Sequence, residues 1–115
     1  MGAIDAGEFM VVMTTLPDAG AAKALVRSLI DRRIIACGTV IDPVTSIYRW
    51  KGTVEESNEV QVLIKTHRDR FVELETSMRD LHPYDVPELL ALPVAEGLND
   101  YLTWVRTETA PEETA

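Results

Sequence analysis

Glu59-Val60-Gln61-Val62-Leu63-Ile64-Lys65-Thr66 alternates along its length: Val60, Val62 and Ile64 fall on one face of an extended chain, and Glu59, Gln61, Leu63 and Lys65 on the other. A strict period of two marks a strand with one face against a core. Immediately upstream, Thr45-Ser46-Ile47-Tyr48-Arg49-Trp50 alternates as well, Lys51-Gly52 reads as a tight turn, and Thr53 and Val54 resume the extended run. Residues 39–66 are therefore predicted to form one long β-hairpin, with Tyr48 and Trp50 near its outer end. Such a hairpin overhangs the core of a chain this short. Aromatic side chains on an unpaired, overhanging edge call for a partner, and a second copy of the chain is the simplest one.

The elements on either side complete the pattern. Phe9-Met10-Val11-Val12-Met13 is a short apolar run suited to a strand buried on both faces. Pro17 and Asp18 then open a helix predicted over Ala19 to Arg33, with Ala22, Leu25, Val26, Leu29 and Ile30 on one face. Ile34 to Ile41 reads as the second strand, and Gly38 within it signals a bulge or a close backbone approach. Downstream, Thr66 is a candidate cap for a helix carrying Phe71, Leu74, Met78 and Leu81 at helical spacing. Leu89 to Leu92 reads as a buried strand. Asn99 or Asp100 is expected to cap a last helix with Tyr101, Leu102, Trp104 and Val105 on its apolar side. Residues 8–107 are read as one domain, with 1–7 and 108–115 as flexible termini, the acidic tail from Thr107 onward being mobile. The order strand, helix, strand, strand, helix, strand is the α+β, ferredoxin-like split βαβ pattern (βαββαβ), here with an extra C-terminal helix. That fold hosts many functions and settles none.

Between the second helix and the last strand lies His82-Pro83-Tyr84-Asp85-Val86-Pro87-Glu88. Each proline fixes its own φ and disfavours helix in the residue before it, so the helix must stop near Leu81 and the polar cluster stands on a stiff lead-in.

The chain has 115 residues and a net charge of −8, from 19 acidic against 11 basic side chains. That balance argues against a nucleic-acid partner, which demands clustered Lys and Arg. No apolar run approaches the ~20 residues that span a bilayer. The only cysteine, Cys37, excludes an intramolecular disulfide and makes a reducing cytoplasm the expected compartment. The opening Met1 to Glu8 lacks the basic and apolar regions of a secretory leader.

P-loop, G-x-G-x-x-G, H-E-x-x-H, G-x-S-x-G and C-x-x-C motifs are all missing from the sequence. Three constellations remain. Cys37 and His82 are a thiol and an imidazole, ligands for copper or zinc, although two ligands do not complete a site and the residues could equally be structural. A nucleophilic Cys–His pair lacks an identifiable orienting group, so catalysis is not expected. Asp85 and Glu88 could share a cation, but strand geometry after Pro87 would point them to opposite faces and leave them as solvated loop charges. Tyr48, Trp50, Glu59 and Lys65 on the hairpin could line an intersubunit cleft for a small polar ligand, or form an intersubunit salt bridge with aromatic anchors. His67, at a helix start, is expected to be exposed.

Ala36-Cys37, Pro43-Val44-Thr45-Ser46-Ile47-Tyr48-Arg49-Trp50-Lys51-Gly52, Glu59-Val60-Gln61 through Lys65-Thr66, His82 through Glu88, and Gly97, Tyr101-Leu102 and Trp104 together resemble the CutA-type divalent-cation tolerance proteins. The resemblance spans about residues 8–107, with several motifs in the same order. Thr39 departs from it, at a position where the family commonly has Asn. The resemblance implies a compact homotrimer whose long hairpins pair with neighbouring subunits. It further implies a role in the response to divalent metal ions such as copper, with Cys37 and His82 as the metal contacts. A similar trimeric architecture occurs in nitrogen-regulatory signalling proteins, which sense small molecules at subunit clefts. That likeness implies the alternative function of a small-molecule-sensing trimer.

Overall fold

The computed structural model describes residues 4–111. Strand β1 (Phe9–Leu16) leads into helix α1 (Ala19–Asp31), then β2 (Cys37–Trp50), β3 (Thr53–His67), α2 (Phe71–Leu81), β4 (Leu90–Pro93) and α3 (Asn99–Thr109). The strands form one antiparallel sheet in the order β2-β3-β1-β4. This is the ferredoxin-like arrangement expected from the element order.

Helices α1 and α2 cover one face of the sheet. The core there is built from Val12, Leu16, Val60, Val62 and Ile64 beneath Ala22, Leu25, Val26, Leu29, Leu74 and Met78. The alternation in β3 is present as the sequence predicts. Asp18 caps α1, its carboxylate accepting the Ala21 amide at 2.8 Å. The helix stops at Asp31 rather than Arg33, because Arg33 turns left-handed (φ 59°) and the Ile34 amide reaches back to the Leu29 carbonyl. Gly38 is the close approach anticipated: a Cβ there would stand 2.8 Å from Val26 Cγ2.

Several sequence expectations are corrected. Ile34 to Ala36 is a buried connection, not strand, and the Ile34 carbonyl accepts the Thr66 hydroxyl at 2.7 Å. Thr66 is thereby spent inside the core; His67 caps the short 3-10 turn (Arg68–Arg70) that leads into α2, its Nδ1 accepting the Asp69 amide, and α2 itself has no side-chain cap. His67 is also not fully exposed, since its ring meets Phe9 edge-on at 5.1 Å. β1 is buried on the helix face but only partly on the other. β4 is exposed throughout, Leu90 at 56% and Leu92 at 51%, because it lies at the sheet edge with only β1 beside it. α3 begins without a side-chain cap: Asn99 Oδ1 instead accepts the Ile4 amide. Leu102 and Val105 of α3 pack on Phe9 and Ala36, while Tyr101 and Trp104 stay exposed. The helix runs on to Thr109, which is buried, so the expected tail from Thr107 is helical at its start. Residues 1–3 and 112–115 of the expected flexible termini lie outside the described residues.

Among the described residues, the sheet's second face has no helical cover beyond α3. The β2–β3 hairpin projects past the core and closes in a two-residue turn, with Lys51 (φ 50°) and Gly52 (φ 84°) both left-handed. The radius of gyration, 15.3 Å, exceeds the about 13 Å of a compact chain of this length because of that projection.

Candidate functional site

The hairpin's outer half and the proline corner face each other across a groove of ≈ 630 Å³. The hairpin contributes Tyr48, Trp50, Glu55, Ser57, Asn58 and Glu59; the corner contributes Tyr84, Asp85, Val86 and Glu88. Parity explains the hairpin side. Glu55, Ser57 and Glu59 share the odd-numbered face of β3, and Tyr48 lies opposite Glu55, Trp50 opposite Thr53. The corner side is a run of bends over residues 83–86 opened by Pro83, held against the hairpin by the Tyr84 side chain.

Tyr84 joins the two walls. Its hydroxyl donates to Glu59 Oε2 at 2.7 Å. Burial, reinforced by that bond and by the Glu59 charge, pushes the Tyr84 phenol well above its ordinary range. Tyr48 and Ser57 hydroxyls pair at 3.2 Å beside it. Glu88 Oε2 is buried and has no hydrogen-bond partner among the described residues. Asp85 and Glu88 line the same groove. They are not on opposite faces as strand geometry would have had them, because β4 begins only at Leu90.

His82 sits behind this wall. Its Nδ1 accepts the Tyr84 amide at 3.1 Å, which leaves Nε2 to carry the proton and donate to the Thr15 carbonyl at 2.8 Å, with Thr14 Oγ1 at 3.3 Å. Burial lowers its pKa, against smaller opposing effects of the Thr15 bond and the Glu59 charge. The imidazole is neutral and both ring nitrogens are engaged.

Cys37 and Lys65 belong to another region. They lie opposite each other at the start of β2, with Val11 beyond them on β1. Cys37 Sγ is 3.5 Å from the Tyr101 hydroxyl. Lys65 Nζ donates to Thr39 Oγ1 at 2.6 Å and lines a smaller cavity of ≈ 230 Å³ under α3. Thr39, the residue that departs from the family pattern, thus holds the lysine.

Within one protomer the sequence-derived sets are regrouped. Tyr48, Trp50 and Glu59 do share a groove. Lys65 is on the same face as Glu59 but about 20 Å along the strand, too far to complete that groove. Cys37, at the start of β2 beside Lys65 and Tyr101, and His82, against Thr14 and Thr15 at the far end of β1, are not brought together. No group of three His, Cys, Asp or Glu side chains among the described residues could hold a metal ion. Tyr84, Glu55 and Ser57 had no assigned role in the sequence; the rigid Pro83–Pro87 frame around Tyr84 was the signal that could have found it.

The motifs threaded through this architecture match the family model for CutA1 divalent ion tolerance protein over residues 10–108. The chain belongs to that family. It is 42% identical to the divalent-cation tolerance protein CutA of Thermus thermophilus, over 86% of this chain and 96% of that protein. It is 44% identical to the same-named protein of Pectobacterium atrosepticum, over 84% of this chain and 87% of that one. Among solved structures, the Thermus thermophilus protein superposes with a TM-score of 0.86 at 41% identity, covering 89% of this chain and 99% of that one. CutA from Xylella fastidiosa superposes at 0.87 and 38% identity, with 90% and 99% covered. The sequence-derived membership of the family and its α+β fold are both borne out.

Proposed function

We propose that this chain is a non-catalytic, cytoplasmic homotrimer that takes part in tolerance of divalent cations, copper among them. The observation that supports this most is the family match across residues 10–108. Self-association is supported separately by the open sheet face and the projecting hairpin. Leu90, Leu92, Ile47, Tyr48, Trp50 and Val54, on three strands, are all exposed, more apolar surface than a lone protomer ordinarily presents.

The described residues of a single protomer supply no chelating set, so on this reading ion binding draws donors from more than one copy. Cys37 is the candidate thiolate. His82 can contribute only by releasing the Tyr84 amide from Nδ1. Competitive titration with Cu(I), Cu(II) and Zn(II), beside Cys37→Ser and His82→Ala, is the test. Binding that Cys37→Ser abolishes supports the reading; a purified trimer indifferent to micromolar metal sinks it as a direct binder. Trp50→Ala is expected to weaken assembly by roughly tenfold or more, read by sedimentation, with circular dichroism little changed.

The groove favours a second reading, a sensing or signalling trimer with a small ligand held by Tyr48, Trp50 and Glu59, and with Lys65 contributed from a neighbouring copy. The groove's volume is that of an organic-ligand site.

A further inference from the structure

Residues 83–88 cross from the end of α2 to the start of β4, and both ends of the crossing are fixed. The His82 amide closes the last turn of α2 on the Met78 carbonyl at 3.0 Å, and Leu89 packs against the core under the helices. Between them the backbone joins no helix or strand, and Pro83, Asp85 and Val86 are exposed. Tyr84 makes every hydrogen bond that this segment forms among the described residues. Its amide donates to His82 Nδ1 at 3.1 Å and its hydroxyl to Glu59 Oε2 at 2.7 Å. A segment with so few backbone bonds and so much exposed surface opens more readily than the sheet beside it. Pro83 and Pro87 each fix a φ angle, so it moves more as a body than as loose coil.

Both bonds meet in one residue, and they close two different things. The Tyr84 amide covers the only imidazole nitrogen with a lone pair, since His82 Nε2 carries the proton and gives it to the Thr15 carbonyl at 2.8 Å. The Tyr84 hydroxyl holds the corner to the hairpin wall of the groove. The rings of His82 and Tyr84 lie 5.0 Å apart, tilted by 47°, so the phenol also shields the histidine. Rotation of the Tyr84 side chain alone would break only the bond to Glu59; movement of the backbone breaks both.

We propose that residues 83–88 form a strap latched by Tyr84, and that its release opens the groove and uncovers His82 Nδ1 in a single motion. Shut, the strap leaves the imidazole no free nitrogen. Open, it presents a neutral imidazole with one lone pair and at the same moment frees the Glu59 carboxylate. The device requires neither a bound metal nor a groove ligand and so stands apart from both readings above. It decides when the groove and the imidazole are open to either partner.

Diethyl pyrocarbonate, which acylates the lone-pair nitrogen of a neutral imidazole, reads the open state directly. The intact assembled protein is treated with substoichiometric reagent near neutral pH, and adducts on His82 and His67 are followed peptide by peptide in a mass spectrometer. Tyr84→Phe keeps the ring and removes the latch; it should speed acylation of His82 roughly tenfold or more, the factor carried by a hydrogen bond to a charged acceptor. Glu59→Gln, which leaves a neutral acceptor, should speed it by a few-fold. His67, at the far end of β3 with its side chain 12% exposed, is the internal reference and should not change. Hydrogen exchange at the residue-84 amide should rise in step with acylation of His82. Circular dichroism and sedimentation check that each variant is folded and assembled, and Glu59→Gln carries the test if Tyr84→Phe is not. Acylation of His82 at the wild-type rate in both variants overturns the proposal: the Tyr84 side chain then lets go of Glu59 alone, and the corner backbone stays in place. Equal acceleration at His67 and His82 overturns it too, since the whole protomer has then loosened.

Discussion

From Val60 to Thr66, strand β3 lies between β1 and β2, and its even-numbered side chains are buried beneath two helices. From Thr53 to Asn58 the same strand has only β2 beside it, and none of its side chains is buried. The β2–β3 ladder runs through both halves, interrupted only where its register shifts between Ile41 and Val44, so backbone pairing is present on either side of the boundary. What differs is the third strand and the apolar layer. An isolated two-stranded ribbon is marginal in water. The outer half nonetheless carries Ile47, Tyr48, Trp50 and Val54, which a ribbon meant only for solvent would not need. Apolar side chains beyond the reach of their own core are written for another surface.

The contrast can be broken by mutation. The largest effect is expected in the inner half. Ile64→Ala should cost about 2–5 kcal/mol in urea unfolding, because Ile64 is fully buried and its neighbours cannot collapse into the space. A value near zero would mean that the inner half is not the packed one. Gly38→Ala comes next, at about 1–3 kcal/mol, since the added Cβ meets Val26 at 2.8 Å and 3.0 Å and α1 must move. A neutral or stabilised variant would show that α1 yields freely over β2.

His82 sharpens the comparison at the boundary between the halves. Its pKa in the folded chain is lowered, so the unfolded chain binds the proton more readily below about pH 6.5. The stability it contributes is fully present above that pH and is lost as pH falls further. Thermal midpoints should therefore drop on acidification more steeply in wild type than in His82→Gln; parallel curves would remove the neutral imidazole from the account. The smallest effect belongs to the outer half. Val54→Thr is expected to change protomer stability by no more than about 0.5 kcal/mol. A loss above about 1 kcal/mol that does not change with concentration would place Val54 in the protomer's own packing rather than in the assembly surface.

The same division decides what could be read from sequence. Alternation from Glu59 to Thr66 reports a single buried face, and the fold grew correctly from it. Leu89 to Leu92 is as apolar as any strand, yet composition cannot say whether one strand or two will lie beside it, and β4 proved to be an edge. Thr66 and His67 compete for one cap, and only the nearby Ile34 carbonyl, set by the fold, decides that Thr66 turns inward. That Tyr48 and Glu59 share a face was legible from parity across the Lys51-Gly52 turn. The distance of Lys65 from them was also calculable, since every strand residue adds about 3.3 Å. The separation of Cys37 from His82 was not, because it depends on the strand order, which sets β2 beside β3, and on where the corner after α2 meets the end of β1. Glu88 was hidden for a related reason: whether a loop carboxylate is solvated depends on the wall placed against it.

The left-handed pair Lys51 and Gly52 also bears on the order in which the chain folds. Pairing β2 with β3 across a two-residue turn closes a very short loop and costs little chain entropy, whereas β1 finds β4 only after nearly the whole chain has been brought round. Local pairings form fastest, on the order of microseconds for a hairpin. The ribbon that bears Tyr48 and Trp50 is therefore expected to zip from its turn inward before the sheet is complete. On that ordering the surface offered to neighbours exists before the core behind it, and pulse-labelling hydrogen exchange should find the amides of residues 47–56 protected ahead of those of β4.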